Sequence, residues 1–214
     1  MRLSVTTVEA FRLWRDTGDW MDLADLEATI MRTTVPSEKM LRGIAFHSVL
    51  EHPAVCREVS LEGHQYRIAA RDGGRDFVFA GEGTDRALDL WPDGAREIKT
   101  TCDIDGITLA CIADVLSGNE VGEAKCTEKI DVEHYFDSFQ WRALLKVFSA
   151  SVARYVLAQG RDCGGRFIAI DNVLPMTLYR YRGLDDDVRR LVGDCVQFIE
   201  QRKLTDYVLD KEAA

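Results

Sequence analysis

Residues 107–127, ITLACIADVLSGNEVGEAKCT, set two acids and an amine where they could act together. Gly118-Asn119 is a favoured pair for a two-residue hairpin turn. Such a turn places Ser117 opposite Glu120, Leu116 opposite Val121, Val115 opposite Gly122 and Asp114 opposite Glu123. Directly opposed residues have Cβ atoms ~5 Å apart, and like charges there repel unless something positive lies between them. Lys125 stands two residues beyond Glu123, so its side chain leaves from the same face. Two carboxylates and an ammonium on one surface suit a hard divalent cation. Magnesium takes oxygen ligands, keeps several waters and needs only one or two carboxylates. A cation there could polarise a phosphodiester, promote a hydroxide-like nucleophile and stabilise the leaving oxygen. The ammonium could orient the water and offset charge on phosphorus. A solvated surface hairpin would carry the same three residues. Against that, Thr108, Ala110 and Ile112 precede Asp114, so the acid ends a fairly apolar strand face.

Two further sets invite comparison. Glu97-Ile98-Lys99 is also E-x-K. A tight turn at Asp105-Gly106 would set Ile104 opposite Ile107 and Glu97 opposite Asp114. Glu97 is then either a third acid at the site or the exposed face of an edge strand, and the second reading is preferred. No carboxylate precedes Glu97 on a comparable hairpin, so the Asp114–Lys125 hairpin is kept. Upstream, in GIAFHSVLE at 43–51, His47 and Glu51 are four apart and share a helix face, as a hydrogen-bonded pair or as ligands. Arg142, Lys146, Arg180 and Arg182 could guide a nucleic-acid strand, and Trp141 could stack a base. Helix charges are usually just solvated and Trp141 reads equally well as core, so these residues receive no site role.

The elements that must position these groups follow from periodicity and punctuation. Helices are expected over residues 7–16 with Thr7 as cap, over 21–32, and from a Ser37 cap to Glu51, where Pro53 ends the run. Residues 65–70, 77–80, 96–102, 107–114 and 120–126 read as strands between Gly-containing turns. A long helix is expected over 133–158, then strands over 166–171 and 176–181, then a helix over 184–203. This order predicts an α+β sandwich around one central sheet, with residues 1–36 as a helical N-terminal extension and 37–204 as the core of a single domain spanning 1–214.

Composition sets the outer limits. The chain has 214 residues, 46% apolar and 29% charged, enough to bury a core without disulfide or metal staples. No apolar run approaches the ~18 residues of a membrane span, and the N-terminus lacks a signal-peptide h-region. A cytoplasmic location is expected, with Cys56, Cys102, Cys111, Cys126, Cys163 and Cys195 as free thiols. No C-x-x-C pair occurs, so neither a zinc site nor an iron–sulfur cluster is expected. The net charge of −9 argues against a broad basic surface that holds duplex DNA unaided. It leaves room for an acidic site that recruits a cation to a phosphate.

Taken in order, these motifs resemble those of the PD-(D/E)XK nuclease superfamily. Asp114 followed by Glu123-Ala124-Lys125 is similar to the split D…(D/E)-x-K signature. Gly43-x-x-x-His47-x-x-Leu50-Glu51 resembles the helix motif of the RecB-type and phage-encoded exonuclease branch. Ser138-x-Gln140-Trp141-Arg142 is similar to a segment of the phage-encoded members. The likeness covers about residues 40–155. It implies a restriction-endonuclease-like core, a central mixed sheet flanked by helices. It implies that Asp114, Glu123 and the carbonyl of Ala124 are ligands of Mg²⁺ or Mn²⁺, and that Lys125 is the catalytic lysine. His47 would be a further ligand or flank the metal, with Glu51 as its neighbour. Gln140 would sit at the mouth, contacting substrate or Lys125. The implied activity is hydrolysis of DNA, as an exonuclease of phage or prophage recombination or repair, with a phage recombination protein as a further partner. Cys163 and Cys195 lie too far apart to supply the cysteine cluster of the iron–sulfur branch. The competing reading is an inactive module of this fold that binds nucleic acid or a protein.

Overall fold

A computed structural model describes residues 1–18 and 20–208. The elements run β1 (Arg2–Ser4), α1 (Val5–Thr17), α2 (Leu23–Met31), α3 (Glu38–Glu51), α4 (Pro53–Cys56), β2 (Arg57–Ser60), β3 (Gly63–Ile68), β4 (Phe77–Ala80), α5 (Gly81–Leu90), β5 (Ala95–Ile104), β6 (Ile107–Ser117) and β7 (Glu120–Thr127). There follow α6 (Val132–Asp137), α7 (Phe139–Val147), β8 (Val152–Asp162), β9 (Phe167–Tyr179) and α8 (Leu184–Gln201). The described strands form one sheet ordered β1-β6-β7-β8-β9-β4-β3-β2, with β5 on β6. It is mixed: β1/β6, β7/β8 and β4/β9 are parallel and the other pairs antiparallel. Helices cover both faces. Val8 and Phe11 of α1, Leu26 and Ile30 of α2, Leu144 of α7 and Val188 and Ile199 of α8 share one core. Phe46, Val49 and Leu50 of α3 share the other with Phe77, Phe79 and Val156. The expected mixed sheet between helical layers is the architecture found.

The N-terminal stretch is built into this scaffold: β1 pairs with β6, and α1 starts directly after it. Ser4, not Thr7, caps α1, its hydroxyl accepting from the Thr7 amide. Ser37 caps α3 by accepting from Met40, as its position before an apolar run predicts.

The helix expected over 133–158 is broken into α6 and α7 and ends at Val147, with residues 152–158 in β8 instead. Ser138 leaves helical geometry and caps α7 through the Gln140 amide, and Ser149 takes a left-handed φ of 52° in the turn after α7. The chain then enters β8, a central strand with Ala153, Tyr155, Val156, Leu157 and Ala158 all buried. A strand covered on both faces reads as a continuous apolar run, which periodicity cannot tell from a buried helix. The two strands expected after it are the single β9. Pro175 opposes Val156 of β8, while β4 meets β9 only at Phe167 and Ile168, so proline stands where β9 has a strand on one side alone, the kind of position that tolerates it. The expectation also omitted α5, whose first turn holds Gly81 and Gly83. A Cβ on Gly83 would stand 2.2 Å from the Ile170 carbonyl oxygen, so glycine here lets a helix lie against β9.

Candidate active site

β6 and β7 form the expected hairpin, with Val115 opposite Gly122, Leu116 opposite Val121 and Ser117 opposite Glu120. The ladder stops there. In place of the next backbone pair, the Asp114 carboxylate accepts from the Ala124 amide at 3.0 Å. On the other side of β6, Glu97 lies between Arg96 and Ile98, which pair with Val115 and Ala113, and its left-handed φ of 47° interrupts that ladder too. Alternation along β6 breaks at the same point: Leu109, Cys111 and Ala113 enter one core and Val115 the other. The simple alternation expected for β6 therefore fails at Asp114, because the local break turns its carboxylate toward β7.

Asp114, Glu123, Lys125, His47, Gln140 and Glu97 all line one cleft of about 750 Å³. Five elements bring them there. β6 and β7 supply the acids and the amine, α3 lies across β7 with His47, α7 supplies Gln140 from its capped first turn, and β5 contributes Glu97 from the rim. Glu97 is exposed on β5, a strand paired with β6 alone, as preferred above, and it also lines the cleft. Glu51 is not among the lining residues. Partial burial, then the charge of Glu97, raises the pKa of its carboxyl.

The hydrogen bonds define the electrostatics. The side chain of Glu123 is 2% exposed. Its Oε2 accepts from Lys125 Nζ at 3.1 Å and Gln140 Nε2 at 2.6 Å, while Oε1 is buried without a partner. Burial pushes its pKa up to about 7, against the pull of Lys125. For Lys125, burial favours the neutral amine, but Glu123 and Asp114 prevail and hold it as an ammonium, with a quarter of its side chain open to the cleft. His47 spans the site, with Nε2 2.7 Å from the Ala124 carbonyl oxygen and Nδ1 3.2 Å from Asp114 Oδ2. Both partners are acceptors, so the ring donates from both nitrogens as an imidazolium. Burial lowers the His47 pKa and Asp114 more than restores it; burial likewise raises Asp114, and His47 pulls it below its ordinary value.

Gln140 meets Glu123, rather than Lys125 as one reading of the resemblance had it. Three of the four basic candidates are committed elsewhere: Arg142 to the carbonyls of Asp137 and Ser138, and Lys146 and Arg180 to Asp185. Trp141 is buried and donates to Phe136 O. Sequence reasoning missed Tyr155, whose buried hydroxyl has no partner and whose strand position is next to Glu123. It also missed Arg2, which lines the cleft from the three-residue β1; Lys99, of the Glu97-Ile98-Lys99 set put aside above, lines it as well.

Among the described residues no three His, Cys, Asp or Glu side chains form a cage for a metal by themselves. The oxygen set nevertheless fits a hard cation: two carboxylates, a main-chain carbonyl, and one carboxylate oxygen with no donor. Two of those oxygens, on Asp114 and Ala124, are bridged by a cationic ring.

No family model and no curated protein sequence matches the chain. Solved structures do. A phage-related exonuclease from Haemophilus somnus 129PT superposes with a TM-score of 0.51 at 11% identity, covering 96% of this chain and 96% of that one. A putative exonuclease from Eubacterium rectale gives 0.49 at 10% identity, over 94% of this chain and 80% of that one. An alkaline exonuclease from Laribacter hongkongensis gives 0.46 at 12%, over 96% and 93%. The first of these shows a shared fold along almost the whole length of both chains. The restriction-endonuclease-like core expected from the motifs is the fold this chain has.

Proposed function

We propose that this chain is a divalent-cation-dependent nuclease that hydrolyses DNA phosphodiester bonds, an exonuclease of the kind phages and prophages use in recombination or repair. The observation that supports this best is the convergence of Asp114, Glu123 and Lys125 on one cleft, in the order of the PD-(D/E)XK motif. The exonuclease name of the Haemophilus somnus protein agrees with it. DNA is the partner such a site requires, and a phage recombination protein is a further one that the motif resemblance implies.

Asp114, Glu123 and the Ala124 carbonyl would hold Mg²⁺ or Mn²⁺, which when bound supplies Lewis-acid polarisation of the phosphodiester. The chain's own groups do the rest. Lys125, anchored by Glu123, presents its ammonium to the cleft to orient the attacking water and offset charge on phosphorus. Gln140 fixes Glu123 Oε2 and leaves Oε1 for another partner. His47 is better suited to flank the cation than to ligate it, because both its nitrogens already address the oxygens a cation would use. Among the described residues no helix is long and apolar enough to cross a membrane.

The test is digestion of labelled linear and circular DNA with Mg²⁺ or Mn²⁺ by the wild type and Lys125→Ala. Degradation of linear DNA alone, lost in the variant, is expected. Equal cleavage by the variant would remove Lys125 from the mechanism.

A further inference from the structure

The cleft holding the acids is not the sole approach to Lys125. A second cleft, of about 670 Å³, lies between α1, α2 and the start of α3, and it shares Val5, Thr6, Lys125 and Gln140 with the first. The two meet at the same pair, Lys125 and Gln140, and their chemistry differs. The first has Arg2 and Lys99 among its walls. The second has Trp20, Met21, Val35 and Met40, and its charged residues besides Lys125 are Glu9 and Asp25. Trp20 is 58% exposed, Val35 83% and Met40 48%. Trp20 is also held in place, its ring stacked on His134 with centroids 4.4 Å apart and planes 20° apart.

A single nucleic-acid strand has two chemical faces, anionic phosphates and flat, neutral bases that stack on aromatic rings. Glu9 is paired with Arg12 at 2.8 Å, so Asp25 is the acid that disfavours phosphate here, and the apolar wall and pre-set indole favour a base. We infer that the second cleft takes an unpaired nucleobase of the substrate strand, stacked on Trp20, adjacent to the phosphate at Lys125. This rests on the nuclease reading and adds a base subsite to it. Stacking needs only a π-face, so the subsite would accept any base. It also requires that the base be unpaired, which makes a strand end or a single strand the preferred substrate.

The test is binding of a short single-stranded DNA in EDTA, where cleavage cannot occur, by wild type, Trp20→Ala and Trp20→Phe. A matched oligonucleotide with abasic residues is run in parallel. Loss of about tenfold in affinity for the intact strand is expected with Trp20→Ala, no loss for the abasic strand, and recovery with Trp20→Phe. Equal binding of the intact strand by wild type and Trp20→Ala would overturn the inference. So would equal weakening for both strands, since that marks a general structural role or a different occupant such as a protein segment. Cleavage with Mg²⁺ keeps the two claims apart. A wild type that cleaves while Trp20→Ala binds normally removes the subsite alone; a wild type that never cleaves removes the nuclease reading.

Discussion

A carboxyl group as deeply buried as that of Glu123 resists ionisation until something positive reaches it. Lys125 is 3.1 Å away, yet burial still lifts the acid to about 7 from an ordinary 4.5. The folded chain therefore keeps a proton that the unfolded chain releases above pH 4.5. Stability from this group is fully present below that pH and is lost as pH rises through about 7. A cation that binds only the ionised, folded form reverses the loss. Thermal unfolding should thus show a larger rise in Tm on adding Mg²⁺ at pH 8 than at pH 5. Equal shifts at both would argue against Glu123 as a ligand. Gln140 donates to the charged form of Glu123, so Gln140→Ala should raise that acid further and move the acidic limb of the pH–rate profile upward. Lys125→Ala should lower the rate by about a hundredfold or more, the usual cost of losing one transition-state donor, with far-UV circular dichroism unchanged. Glu123 and Lys125, with Asp114, were legible in the sequence because a tight turn fixes the hairpin they share; Gln140 rested on the motif resemblance. Tyr155 was not legible, since its place beside Glu123 depends on a parallel pairing between distant segments.

At the scale of elements, the sequence spoke clearly at two marked boundaries. Ser37 begins α3, Gly118-Asn119 closes the β6–β7 hairpin, and both hold as read. It misled where tertiary burial overrode pattern. The residues of β8 are apolar on both sides because the strand is central, and Ser149 turns the chain with neither glycine nor proline to announce it. The α5 segment hid behind two glycines that weaken helix propensity yet permit close approach to His64 and Ile170. Gly83→Ala should accordingly destabilise the fold by roughly 1–3 kcal/mol through overpacking, read as a lower midpoint in urea. A neutral or stabilising result would mean that α5 can shift away from β9 without cost.

Across the whole molecule, an acidic chain must draw a polyanion toward a small number of cations. Arg2, Lys99 and Lys125 line the first cleft, within a protein of net charge −9. Three phosphate contacts to a single strand predict a shallow salt dependence, a slope of log K against log salt near about −2. A much steeper slope, measured by fluorescence anisotropy with labelled single-stranded DNA, would place the strand on another, more basic surface. The divalent ion adds to these contacts at the scissile phosphate. Manganese anomalous scattering from soaked crystals addresses that point directly. The account predicts a peak within bonding distance of Asp114 and Glu123, with His47 displaced from the Ala124 carbonyl, and no peak in Asp114→Asn crystals. Wild-type crystals with no peak there, and His47 still bridging Asp114 and Ala124, would contradict it.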